Sequence, residues 1–227
     1  MGSKNKLKRF RENDSFKNVI QPSREEVLKG FSQKGVWNKF FNNDNPIVLE
    51  LGCGKGEYTV ALAKNNPNIN YIGVDIKGAR FWRGAKTAIE ENLENIAFLR
   101  TQIELIDLCF EANEVSEIWI TFPDPQIKFT RLVHRLTNID FLKKYQQILK
   151  KDGVIHLKTD SEFMHGYTIG LLQGLGQDII YAHHNIYNNS ESPKEATDIQ
   201  TFYEKQYLDK NKAITYLKFR LNLELIK

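Results

Sequence analysis

From Pro46 onward, short apolar runs alternate with longer stretches that repeat every three to four residues, and this alternation sets the expected fold. Residues 47–51 are an apolar, β-branched run stopped by glycines, and residues 57–65 have helical spacing that Pro67 closes. Further strands are expected over 71–75, 96–100, 118–122, 154–159, 179–182 and 213–223, with helices over 79–92, 139–149 and 163–175. Lys151-Asp152-Gly153 reads as a turn. Strands separated by helices of this length build right-handed βαβ units. The pattern predicts an α/β, doubly wound, mostly parallel seven-stranded sheet with helices on both faces. Such sheets bind ligands in the crevice beyond the carboxyl ends of their strands, so the chemistry is sought there.

Ahead of Pro46 the chain is more polar. Ser23, followed three residues later by Glu26, predicts a capped helix start. Trp37, Phe40 and Phe41 form a cluster expected to pack on the main domain rather than to bind a ligand. The expected division is a basic arm and helical extension over 1–45 and one catalytic domain over 46–227. With 41% hydrophobic and 26% charged residues among 227, the chain can bury a sizeable core. No run of about 18 apolar residues predicts a membrane span, and the first ten residues have no secretory pattern. Two cysteines, Cys53 and Cys109, make neither a disulfide framework nor a zinc site, so a reducing, cytoplasmic setting and no metal are expected. The net charge of +4 is mild, but Lys4, Lys6, Lys8, Arg9 and Arg11 crowd the start. That arm reads equally as a phosphate grip or as a solvated tail.

The first strand runs through Glu50 into Gly52-Cys53-Gly54-Lys55-Gly56, and a helix begins at Glu57. Glycines there permit a tight turn and a close backbone approach to a ligand. Asp75 ends the second strand, where an acid accepts hydrogen bonds from both hydroxyls of an adenosine ribose. A dinucleotide site wants G-x-G-x-x-G, with pyrophosphate on a helix N-terminus. This loop is G-x-G-x-G, Glu57 takes the place of the third dinucleotide glycine, and an acid there repels pyrophosphate. Glu50 suits instead the cationic end of a methionine. S-adenosyl-L-methionine carries an ammonium and a sulfonium and no phosphate, so it fits better than NAD. Cys53 has no activating neighbour in sequence and reads as a small loop residue.

The fourth strand ends in Phe122-Pro123-Asp124-Pro125, where proline on both sides restricts the backbone of Asp124. Together with Lys128, Arg131, His134, Arg135 and Leu136, with His156-Leu157-Lys158-Thr159-Asp160, and with Thr201-Phe202-Tyr203-Glu204, this segment resembles the single-chain bacterial tRNA (guanine-N7-)-methyltransferases. The resemblance covers nearly the whole chain from Glu50, on four motifs in order. It implies a Rossmann-like methyltransferase fold with the last strand antiparallel, monomeric or homodimeric, using S-adenosyl-L-methionine to methylate N7 of a tRNA guanine at variable-loop position 46. By the same resemblance Glu50, Gly52, Gly54, Gly56, Asp75, Gln102 and Asp124 contact the cofactor. Lys128, Arg131, Arg135, Asp160, Thr201, Phe202, Tyr203 and Glu204 contact the substrate, and Asp124 is catalytic. The family follows Pro-Asp-Pro with Trp and a dense basic run. Here Gln126-Ile127 stand instead, and Phe129, Thr130, Leu132 and Val133 interrupt the cations.

Guanine N7 has a free lone pair and no proton to lose, so no strong general base is needed. Asp124 is expected to orient the guanine and to follow the positive charge it acquires, with Asp160 and Glu204 as further acceptors. Two rivals remain. An exocyclic-amine methyltransferase acting on adenine or glutamine would carry (D/N)-P-P-(Y/F) at this strand end, and Asp124-Pro125-Gln126-Ile127 lacks the second proline and the aromatic. A non-catalytic RNA-binding module of the same fold would bind cofactor without transfer.

Overall fold

In the computed structural model the described residues are 4–222, so the end of the strand expected to reach Leu223 lies outside them. Helix α1 (Lys4–Asn13) leads to the two-residue strand β1 (Val19–Ile20), then α2 (Arg24–Gly30) and α3 (Trp37–Phe41). The alternating region follows: β2 (Ile47–Leu51), α4 (Glu57–Asn65), β3 (Asn70–Val74), α5 (Gly78–Glu90), β4 (Ile96–Leu99), α6 (Ile106–Cys109), β5 (Val115–Thr121) and α7 (Ile139–Ile148). The chain ends in β6 (Leu149–Thr159), α8 (Glu162–Gly174), β7 (Asp178–His183), α9 (Lys194–Thr197), α10 (Phe202–Leu208) and β8 (Thr215–Arg220).

The sheet has eight strands, ordered β1-β4-β3-β2-β5-β6-β8-β7. The pairings from β1 through β6 are parallel, and β8 runs antiparallel to both β6 and β7. The eighth strand is β1, which is too short to leave a periodic signal. It joins the edge because Phe98 and Arg100 donate their N–H groups to the carbonyls of Asn18 and Ile20 at 2.8 Å. Residues 151–153, expected as a turn, are extended within β6, whose pairing with β5 slips between Val115 and Glu117.

Strands β2, β3 and β4 are buried at every position, as a central parallel sheet covered on both faces requires. Residues ahead of 46 pack on those that follow. Val27, Phe31, Trp37 and Phe41 share one hydrophobic cluster with Leu49, Ile118 and Leu157. Trp37 is fully buried, lies parallel to Phe110 at 5.3 Å and donates its indole N–H to the Cys109 carbonyl at 3.1 Å. Ser23 and Glu26 form the expected capping box on α2. The basic start is helical in α1, which docks on α5. Trp82 donates to the Glu12 carboxylate at 2.6 Å, and the Asn13 amide donates to the Gly78 carbonyl at 2.9 Å.

Candidate active site at the carboxyl ends of the strands

The loop from β2 to α4 turns through positive φ at Gly52 (76°), Gly54 (56°) and Gly56 (74°), which L side chains adopt only with strain. A Cβ on Gly52 would meet nothing within 4 Å, and one on Gly54 only the Gly52 carbonyl at 3.9 Å, so this stretch presents bare backbone to open space. Gly56 differs. A Cβ there would stand 2.6 Å from the Phe98 ring and 3.3 Å from Gly84, so its role is packing the loop on α5. The cofactor contact expected of Gly56 would have to come from its backbone.

Glu50 is nearly buried in β2 and accepts hydrogen bonds from Thr59 on α4 and from Thr121 at the end of β5, the latter at 2.6 Å. Burial raises its pKa to about 7, against the lowering effect of both hydroxyls. Glu50, Gly52, Gly54, Thr121, Thr201 and Tyr203 line one cleft of about 130 Å³. Asp75, just past β3, accepts from the Gly54 N–H at 3.0 Å and from the Lys77 N–H at 2.7 Å. Its carboxylate is thereby fixed beside the glycine loop. Gln102, past the end of β4, is exposed and accepts from Arg24. Cys53 is buried, and burial pushes its thiol up, which fits a loop residue and not a nucleophile.

Two larger clefts flank α1, of about 420 and 810 Å³. Lys6, Arg9, Lys55, Lys77, Arg80 and Arg83 are among the residues lining them, drawn from α1, the glycine loop and the start of α5. Glu57 is the acid among the residues lining these clefts, and its carboxylate also accepts the Phe202 N–H at 2.9 Å.

Phe122 (φ 47°) and Gln126 (φ 47°) bracket Pro123-Asp124-Pro125. Both are non-glycine residues in the left-handed region, and strain of this kind gathers at functional sites. Asp124 is exposed, and its carboxylate accepts the Gln126 N–H at 3.2 Å. Beyond it lies a 3₁₀ helix, Phe129–His134, on which Arg131 is exposed and preceded by exposed Lys128. Arg135 does not belong with these cations. Only 5% exposed, it donates to the carbonyls of Gln126 at 3.1 Å and Ile127 at 3.2 Å. Its guanidinium lies 4.8 Å from the Phe163 ring and 4.5 Å from that of Tyr167. With donors turned to backbone and its planes against aromatic rings, it clamps the loop.

The late motif also has an internal task. Thr201 caps α10, and Glu204 completes the capping box. Glu204 is fully buried and paired with equally buried Lys158 on β6 at 2.6 Å, and it accepts from Tyr187 at 2.7 Å. These bonds tie α10 to β6 through Glu204. Asp160 pairs with Lys212 at 2.6 Å. Phe202 and Tyr203 are half exposed, with the Lys55 ammonium 4.5 and 5.1 Å from their rings. Thr59, Thr121, Lys158 and Arg80 were not singled out in the sequence as site residues. Only Lys158 left a signal, as a charge inside an apolar run destined for the sheet centre.

Among the described residues no cluster of three or more His, Cys, Asp or Glu side chains could hold a metal ion, and no helix is long and apolar enough to cross a membrane.

Strand order, glycine loop and strand-end acids define a Rossmann-like methyltransferase. A family model described as "Putative methyltransferase" matches residues 44–217. Two solved structures share the fold: the 16S rRNA methyltransferase KamB (TM-score 0.59, 14% identity, 87% of this chain and 93% of that one) and an antibiotic-related methyltransferase (0.58, 19%, 89% and 96%). Curated relatives named tRNA (guanine-N(7)-)-methyltransferase include that of Christiangramia forsetii, 69% identical over 223 residues, 97% of this chain and all of that protein. That of Bacteroides fragilis is 46% identical over 97% of this chain and 87% of its own, and that of Listeria monocytogenes 32% over 83% and 86%. The chain belongs to the tRNA (guanine-N(7)-)-methyltransferase family.

Proposed function

We propose that the protein transfers a methyl group from S-adenosyl-L-methionine to N7 of a tRNA guanine, in the cytoplasm, with variable-loop position 46 as the acceptor. The observation that carries this reading is the convergence of the bare glycine loop, Glu50 and Asp75 with a strained Pro-Asp-Pro loop, in a chain 69% identical over its length to a tRNA (guanine-N(7)-)-methyltransferase.

The residues fit the donor by charge and space. Glu50 is a carboxylate suited to an ammonium, Gly52 and Gly54 leave room for backbone approach, and Asp75 is fixed for a ribose diol. Gln102, at the neighbouring strand end, is assigned to the adenine. The donor supplies an electrophilic methyl on a sulfonium. The protein's own contribution is mainly alignment, which is worth up to roughly 7–11 kcal/mol of barrier in well-oriented reactions. Asp124, exposed at the mouth and held by the Asx turn to Gln126, accepts from the N1–H and 2-amino group of guanine. Its charge then favours the purine as that ring becomes cationic. Lys128, Arg131, Asp160, Phe202 and Tyr203 face the RNA. The cationic clefts beside α1 support a polyanionic partner, because Lys6, Lys77, Arg80 and Arg83 line them with Glu57 as the acid among the lining residues.

Incubation with labelled S-adenosyl-L-methionine and bulk tRNA, followed by nucleoside analysis, tests the assignment. Label is expected in 7-methylguanosine. Label in methyladenosine, in protein glutamine or nowhere, with donor still bound, would give the site to the exocyclic-amine chemistry or to a binding module.

A further inference from the structure

The segment after the Pro-Asp-Pro loop carries a large apolar side chain where the resemblance leads one to expect a cation. Phe129 is 85% exposed, and Ile127 and Val133 beside it in sequence are 64% and 58% exposed. A Phe this far out of the core has no packing role, since it leaves nearly all its ring in water. The chain around it is cationic: Lys128 and Arg131 are exposed, and no carboxylate occurs between Asp124 and Asp140.

The ring is also carried on a fixed mount. Arg135 ties the backbone at Gln126 and Ile127 from beneath, Arg131 donates to the Gln126 side chain at 3.1 Å, and Asn138 donates to the Leu132 carbonyl at 3.2 Å. The backbone on both sides of the ring is therefore tied down before any partner arrives.

The acceptor chemistry says what partner this suits. In an A-form helix the major groove, where guanine N7 lies, is too deep and narrow for side chains to read. A guanine methylated at N7 must be in a loop or drawn out of the stack, and its neighbour then loses a stacking face. Single-strand binding sites answer that loss with an aromatic ring flanked by cations.

We propose that Phe129 is a stacking platform for an unpaired tRNA base next to the acceptor guanine, with Lys128 and Arg131 on the adjoining phosphates. This rests on the reading of the site as a tRNA methyltransferase. In this chain stacking replaces part of the grip that the interrupted basic run no longer supplies.

Steady-state methylation of a tRNA transcript by Phe129→Ala, Phe129→Tyr and Lys128→Ala tests it, with 7-methylguanosine as the product read. Phe129→Ala is expected to raise KM for tRNA about 5- to 100-fold, with KM for the methyl donor unmoved, and Phe129→Tyr to restore it. Lys128→Ala is expected to lower the slope of log affinity against log salt by about 1, whereas Phe129→Ala leaves that slope unchanged. In Phe129→Trp, tRNA is expected to quench indole emission beyond any change seen in the wild type, which carries Trp37, Trp82 and Trp119. An unchanged KM in Phe129→Ala overturns the platform. So does a loss of affinity that accompanies a change of oligomeric state by sedimentation, which gives the patch to a second copy. Wild-type protein that makes no 7-methylguanosine overturns the functional reading itself, a result distinct from either.

Discussion

Burial holds the Glu50 carboxyl at a pKa of about 7 against an ordinary 4.5, and the hydroxyls of Thr59 and Thr121 offset only part of that cost. The folded chain thus keeps a proton that the unfolded chain releases near 4.5. Stability from this group is fullest below that pH and declines as pH rises through about 7. Cofactor binding has the opposite sign, because an ammonium favours the ionised acid. Donor affinity is expected to rise with pH up to about 7 and then level off, with a proton expelled on binding below that point. Calorimetry in buffers of different ionisation heat measures this directly, and Glu50→Gln should flatten the profile. A flat profile in the wild type would remove Glu50 from the ammonium site. At Asp124, exposed and outside the core, Asp124→Ala is expected to lower kcat on the order of 100-fold or more while the melting temperature holds. Glu50 and Asp124 were legible in the sequence because glycines or prolines mark their strand ends, and Asp75 because it ends the strand that follows the glycine loop. Arg135 was not. Its burial depends on Phe163 and Tyr167 from α8, and a linear reading cannot tell it from Arg131.

Most of the sheet was readable because buried parallel strands are largely apolar and stop just before glycine or proline, as β2 and β5 do. Short or locally satisfied elements were not. Strand β1 has two residues, and the capping box by which Thr201 and Glu204 start α10 is hidden inside a motif that reads first as a ligand contact. What holds α10 in place is the Lys158–Glu204 pair, buried at both ends, with the Lys158 ammonium also donating to the Ile199 carbonyl at 2.9 Å. The Lys158 backbone carbonyl accepts the Phe122 N–H at 2.8 Å, so one residue ties together α10 and the start of the Pro-Asp-Pro loop. Glu204→Ala leaves a buried ammonium unpaired and is expected to cost about 3–5 kcal/mol in denaturant unfolding. The double change Lys158→Met with Glu204→Leu should recover most of that loss. A single variant as stable as wild type would contradict the structural role given to the pair.

Net charge alone said little at +4, but the fold brings cations from α1, the glycine loop and α5 to the clefts around the cofactor loop. Their convergence depends on α1 docking against Trp82 and Gly78, which no local pattern announces. Arg83→Ala is expected to weaken tRNA binding at all tRNA sequences alike and to reduce the salt slope by about 1, with donor affinity unaltered. An unchanged slope would take the backbone off this face. The central claim concerns a single atom, N7 of guanine, and is best tested by removing that atom from the substrate. A tRNA transcript made with 7-deazaguanosine keeps the base-pairing edge and replaces N7 with carbon. The guanosine transcript should take up methyl label and the 7-deaza transcript none; equal labelling of both would contradict N7 as the acceptor.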